Sequence, residues 1–411
     1  MMTELQTMTS ANQDAAPPSE RPAGALAGLK VIDVSRVLGG PYSTQILADH
    51  GADVIKIEPP QGDETRGWGP PFQGDAASYF LGLNRNKKAM AIDFSQAAGQ
   101  ELLLHLLADA DVFVENFKIG TLEKWGLGQD VLKERFPRLI HCRVSGFGAN
   151  GPYGGRPGYD AAIQALSGIM SVNGERDGEA LRVGLPVVDM VTGLNAALGV
   201  LMALQERERS GRGQFVEATL YDCGFSLLHP HLPNFYLNGK VPKPSGNAHP
   251  NICPYDTYAT ATDPLFLAVG NNRQFASLCR VLGVEAIPAD ERFASNAARN
   301  VNRDALKVLL EQALSRRDCA EIAETLIKAG VPCGPVRSID SVVADPHTHA
   351  REMVVDIGDY RGTGSPIKLS RTPASYRLKP PAFAEHVDEI LAASGVDADT
   401  YAQVLPRKPV A

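Results

Sequence analysis

Residues 29–58 read LKVIDVSRVLGGPYSTQILADHGADVIKIE. Leu29–Val34 is a short β-branched run, Gly39-Gly40-Pro41 breaks it, and Tyr42–His50 is compatible with a helix. Gly51 stops that helix, and Ala52–Glu58 is a second strand. Strand, helix and strand within about 30 residues make a βαβ unit, whose crossover is right-handed and whose strands are parallel. The pattern recurs downstream, with a helix at Leu102–Leu107 and strands at Asp111–Val114 and Leu139–Val144. The expected fold is α/β, with a large Rossmann-like doubly wound sheet.

Further along, Pro230, Pro233, Pro242, Pro244, Pro250 and Pro254 crowd one region and mark a crossing between domains. A compact α+β stretch follows, with strands near Thr257–Ala259 and Leu265–Val269 and helices near Gln274–Leu282 and Arg303–Ala313. From about Pro335 short strands return, and a last helix is expected near Val387–Ala393.

With 44% hydrophobic and 21% charged residues among 411, the chain can bury a large core, which excludes wholesale disorder. Its formal charge of -7 argues against a dedicated nucleic-acid binder, though not against an anionic small ligand. No run approaches the ~18–20 apolar residues of a membrane span. Leu194–Leu204 reads instead as a buried helix running out to the surface at Glu206–Arg209. Residues 1–24 contain Glu4, Asp14 and Glu20 and no apolar segment, so they read as a disordered leader rather than a signal. Six cysteines without a C-x-x-C fit reduced thiols of a cytoplasmic protein.

Several chemistries lack their residues. The pairs His229/His231 and His347/His349 come without accompanying cysteines or carboxylates, so no metal site is expected. Glu58, 18 residues after Gly40, stands where a ribose-binding acid would, yet the first turn, Ser35–Pro41, has no G-x-G-x-x-G. P-loop and G-x-S-x-G motifs are absent. Two basic clusters remain at loop positions near strand ends, Asn84–Lys88 and Glu115–Lys118; by composition they read first as solvated basic turns, while their cations, amides and aromatic ring also suit a phosphorylated adenine nucleotide. Asp189, just before the apolar helix, is either an N-cap or a nucleophile whose pKa is lowered by helix N–H groups. Asp160 has the same cap-like context, and composition does not separate the two.

Taken in order, these segments resemble the family III CoA-transferases, the group of formyl-CoA transferase, carnitine CoA-transferase and α-methylacyl-CoA racemase. The resemblance runs from Leu29 to about Val354 and rests on GADVIKIEPPQGDETR (51–66), NRNKKAMAIDF (84–94), VENFKIGTLEKWGLG (114–128) and GFGANGPYGGRPGYDAAIQALSGIM (146–170). VVDMVTGLNAALGVLMAL (187–204), SGRGQFVEATLYD (210–222), Gly246–Pro250 and Gly330–Val336 complete it. Thr65–Phe72 is similar to the succinate–hydroxymethylglutarate CoA-transferases.

The resemblance implies that Asp189 is the nucleophile, that CoA thioesters are co-substrates, and that no cofactor is permanently bound. It implies CoA contacts at Val37, Leu38, Asn116, Phe117, Lys124 and Gly146. Pro59 stands where formyl-CoA transferase has an arginine, and Arg85 and Lys88 are the expected substitutes. Oxyanion donors are expected among Gly146–Gly148 and Gly246–Asn247. A dicarboxylic substrate, with succinyl-CoA as donor, needs a cation for its distal end, and Arg182 and Arg156 are the candidates. Racemases of the family carry a histidine where this chain has Tyr159; a phenol of ordinary pKa ~10 is a poor α-proton base, which favours transferase over racemase. Ala384 replaces a family glycine, so the local turn is expected to differ. The resemblance also implies an interlocked homodimer, with a large domain from residues 25–230 and 335–411 and a small α+β domain from 231–334.

Overall fold

The computed structural model describes residues 24–408, so the leader expected over 1–24 lies outside the described residues except for Gly24. Six strands form the main sheet: β1 (Lys30–Asp33), β2 (Asp53–Glu58), β3 (Lys87–Ala91), β4 (Val112–Glu115), β5 (Ile140–Ser145) and β6 (Phe215–Thr219). All pairings are parallel, and the order is β3-β2-β1-β4-β5-β6. This is the doubly wound order whose direction reverses between the first and fourth strands, which opens a crevice at their carboxyl ends.

Alternation along each strand builds two cores. Val31, Val54 and Val112 face one side, where they meet Leu47 of helix α1 (Gly39–Asp49) and Val188, Ala196 and Val200 of a long later helix. Ile32, Ile55 and Phe113 face the other side, against Leu102, Leu103 and Leu106 and the C-terminal residues Phe383, Val387, Ile390 and Val404. The register pairs Ile32 with Ile55 and with Phe113, so the two faces stay in phase across the sheet. The C-terminal stretch is tied to the β3 edge, where the His386 N–H donates to the Ala89 carbonyl at 2.8 Å. In the turn before it Ala384 holds φ 53, a left-handed conformation that glycine adopts without steric cost and alanine does not.

A third core is built by residues between Cys253 and Val331 alone, around an antiparallel sheet of β7 (Tyr255–Tyr258), β8 (Leu265–Ala268) and β9 (Cys333–Pro335). Between β5 and β6 the chain makes α2 (Asp160–Leu166) and α3 (Val187–Ser210). The apolar helix is thus longer than Leu194–Leu204. At 24 residues it is long and apolar enough to cross a membrane, contrary to the expectation from the sequence, but 44% of its apolar window is buried inside the protein.

Candidate active site

A cleft of about 420 Å³ opens at the point where the strand order reverses. Its walls are Arg36–Gly39 after β1, Asn116–Ile119 after β4, Ser145 and Gly146 at the end of β5, and Gly155–Tyr159 before α2. Asp189 completes it. A Cβ on Gly146 would fall 2.8 Å from the Gly158 nitrogen, so glycine lets the β5 loop and the α2 approach close into one wall.

Asp189 is not the N-cap of α3. Pro186 holds that position, and Asp189 lies inside the first turn. The cap comes from Asp160 at the start of α2: its Oδ2 accepts the N–H groups of Val188 at 2.8 Å and Asp189 at 3.1 Å. The two acids that composition could not separate therefore have different tasks. Asp160 consumes the helix donors, and among the described residues the Asp189 carboxylate accepts no hydrogen bond. A Cβ on Gly39 would sit 3.7 Å from Asp189 Oδ1, so the glycine keeps the approach to that oxygen open.

The electrostatics correct the sequence reading. Asp189 is only 8% exposed, and burial, reinforced by the neighbouring Asp160 charge, raises its carboxyl from an ordinary 3.8 to about 7. Helix donors do not lower it, because Asp160 has taken them. Nearby Tyr79 is pushed up to about 12, by burial first and then by Asp189 and Asp160, so its hydroxyl stays protonated. Asp160→Asn keeps a carbonyl acceptor for the two N–H groups but removes the like charge. The ascending limb of activity against pH, expected near pH 7 in the native protein, should move to lower pH in this variant. An unmoved limb would mean that Asp160 exerts no field on the nucleophile.

Three comparisons with known proteins place the chain in a family. The model of CoA-transferase family III matches residues 26–387. The succinate–glutarate CoA-transferase of Agrobacterium fabrum is 40% identical over 390 residues, covering 91% of this chain and 96% of that protein. The chain belongs to CoA-transferase family III. The human succinyl-CoA:glutarate CoA-transferase is 34% identical over 372 residues, covering 89% of this chain and 85% of that protein. Among solved structures, a CAIB/BAIF family protein from Brucella suis superposes with a TM-score of 0.82 at 42% identity, covering 91% of this chain and all of that one.

A family III CoA-transferase acts on CoA thioesters, and the cleft brings together Val37, Leu38, Asn116, Phe117, Gly146, Arg156 and Asp189. It does not include the other expected residues. Arg85 is buried behind α1, with Nε and Nη2 on the Asp49 carboxylate at 3.0 and 2.6 Å. Lys88 lies between Glu389 at 3.1 Å and Asp53 at 3.6 Å. Lys124 is exposed at the end of a short helix outside the cleft. Arg182 is exposed and donates to the Val183 carbonyl. Gly246 and Asn247 line a separate cavity of about 370 Å³ beside Arg303 and Lys307. Glu58, the residue that suggested a ribose contact, is fully buried and bound bidentately by Arg66 at 2.7 and 2.8 Å.

Sequence reasoning passed over Arg36, whereas Lys118 belongs to the expected basic cluster Glu115–Lys118. Both line the cleft, and neither has a carboxylate partner within 4 Å among the described residues. Arg36 also borders an adjoining cleft of about 480 Å³ walled by Phe94, Phe117 and Trp125. The signal for Arg36 was its place in the turn that follows β1, at the carboxyl ends of the strands, where ligands of open α/β sheets bind.

Proposed function

We propose that this chain moves CoA between succinyl-CoA and a C4–C6 dicarboxylic acid through covalent intermediates on Asp189. One observation carries the reading: a buried carboxylate that lines the cleft at the sheet's switch point, accepts no hydrogen bond among the described residues and has its pKa raised by that burial. A desolvated carboxylate of that basicity is a better nucleophile than a solvated one, and it is still mostly ionised slightly above pH 7.

The chemistry balances without ATP or metal. An Asp189 oxygen attacks the thioester carbonyl, and the C–S bond breaks to give an aspartyl–succinyl anhydride and CoA thiolate. The thiolate then attacks the aspartyl carbonyl, releasing succinate and leaving an aspartyl-CoA thioester. The acceptor carboxylate attacks that thioester, and the thiolate leaves again. Its return to the acceptor's carbonyl yields the new acyl-CoA and restores Asp189. Every intermediate remains an activated acyl group, which a serine ester would not be.

Two features support a place for the tetrahedral oxyanions. The N–H groups of Leu38 and Gly39 have no acceptor among the described residues, and they open α1, whose dipole favours negative charge. Arg36, between the two clefts, is suited to the pyrophosphate, and the slot of Phe94, Phe117 and Trp125 to the adenine end. Arg156, in the cleft and stacked on Tyr153 at 4.7 Å, is preferred over Arg182 for the distal carboxylate. The working unit in this reading is an interlocked homodimer. Support comes from apolar side chains left to water along α3, among them Leu194, Leu198 and Met202, and from Leu237 at 88% exposure.

Succinyl-CoA incubated with a panel of unlabelled acids, followed by mass spectrometry of the CoA esters, tests the reading. Glutaryl-CoA or a close dicarboxylyl analogue should form, and no new ester with any acid would refute it. Arg156→Ala should raise the KM of dicarboxylates by about tenfold or more and leave monocarboxylates nearly unchanged. Equal effects would remove Arg156 from the acid pocket.

A racemase reading retains the same cleft, but Tyr159, 57% exposed, occupies the position of the expected base. No α-proton exchange in D₂O is expected.

A further inference from the structure

Three neighbouring strands end in fully buried acids: Asp33 on β1, Glu58 on β2 and Glu115 on β4. Arg66 answers Glu58 and Arg143 answers Glu115. Around Asp33 the arrangement is larger and encloses the first cleft loop. Lys87 Nζ lies 3.2 Å from Asp33 Oδ2 and donates to the Pro41 carbonyl at 2.8 Å. Lys56 Nζ donates to Asp63 Oδ2 at 2.9 Å and to the Ser35 carbonyl at 3.0 Å. The two ends of the Ser35–Pro41 turn are thus each gripped by a fully buried ammonium group.

Between those grips the backbone of Arg36 and Val37 is held by side-chain hydrogen bonds. Arg36 is clamped by Asn116, whose Oδ1 accepts its N–H at 3.0 Å and whose Nδ2 donates to its carbonyl at 2.8 Å. Val37 donates its N–H to Asp63 Oδ1 at 3.4 Å and holds φ 71. A β-branched residue in that region is strained, and such strain persists only where the surroundings over-determine it. Stability does not account for four buried charges, since apolar residues of similar volume commonly serve a core as well or better. What the charges secure is the shape of the segment that presents Val37, Leu38 and Gly39 to the cleft.

We infer that Asp33, Lys56, Asp63 and Lys87 form a positioning device for acyl-CoA, which holds the Ser35–Pro41 turn in the strained shape that receives the thioester. This role rests on the assignment of the cleft to acyl-CoA. None of the four is a catalytic residue; they act through the backbone of the turn.

The test is steady-state kinetics and thermal unfolding of the full-length enzyme with succinyl-CoA. Asp63→Asn, which loses the Lys56 ion pair, should raise the KM for succinyl-CoA by about tenfold and leave kcat within about threefold. Adding Val37→Gly should recover a large part of that loss, because glycine takes a positive φ without strain. A device that served only folding would lower the unfolding midpoint without this split and without this rescue. An unchanged KM in Asp63→Asn, or no recovery in the double variant, would overturn the inference. Should Asp63→Asn fail to fold, Val37→Pro leaves the four charges in place but excludes φ 71. It should raise KM at least about tenfold, and an unchanged KM there would be equally fatal. Wild-type enzyme that does not bind succinyl-CoA would instead overturn the cleft assignment, and this role with it.

Discussion

Asp189→Asn is expected to abolish CoA transfer while making the protein more stable at pH 8. The activity loss, about 10³-fold or more, follows from removing the only group proposed to bond covalently to substrate. The stability gain follows from burial. The folded-state pKa of Asp189 is raised from 3.8 to about 7, so the folded protein prefers the protonated acid. That preference stabilises the fold fully below about pH 4 and is lost as pH rises through about 7. A neutral amide avoids the loss. The gain should approach about 4 kcal/mol at pH 8, as an upper bound, and vanish near pH 4. Denaturant unfolding of both proteins at the two pH values measures it. An inactive variant no more stable than wild type at pH 8 would mean that the carboxylate is better solvated than its position in α3 indicates.

Gly193→Ala should damage the site without touching it. A Cβ at Gly193 would meet the Gly39 carbonyl oxygen at 2.6 Å and the Tyr42 ring at 3.0 Å. The first of these is backbone and cannot turn aside, so α1 and α3 must separate. Asp189 lies one helical turn before the contact, and Gly39 forms the opposite side of the cleft. A displacement on the order of 1 Å between nucleophile and thioester is worth roughly 100-fold in kcat/KM, and the overpacking costs about 1–3 kcal/mol of stability. Gly199→Ala on the same helix is the control. Its Cβ would meet only the Val216 Cγ1, at 2.7 Å, which is the end of a side chain. That variant should lose some stability and keep its activity. Equal kinetic damage from both would argue that α3 responds as a whole and that the Gly39–Gly193 crossing has no special role.

The sheet was legible in the sequence because its strands are short apolar runs punctuated by glycine, and alternation such as Val31/Ile32 feeds two cores at once. Asp189 stood out as a candidate, beside Asp160, by its place ahead of an apolar helix, and only the family resemblance chose between the two; the sign of its pKa shift was not legible. That sign comes first from burial and then from Asp160, 29 residues away in the chain, which adds a like charge and claims the helix N–H groups. The basic run Asn84–Lys88 misled for a similar reason. Asp49, 36 residues earlier, takes Arg85 out of reach of any ligand, and local composition does not reveal such a partner. Arg36 was hidden by the opposite error: its turn lacked a glycine fingerprint, and the cation beside the strand end went unweighed.

The covalent step is the centre of the account, and trapping it is the most direct test. Enzyme mixed with succinyl-CoA and no acceptor acid, quenched with hydroxylamine and mapped by peptide mass spectrometry, should carry a hydroxamate on Asp189 alone. Transfer proceeding at full rate with no adduct at Asp189, or with the adduct on Asp160, would contradict it.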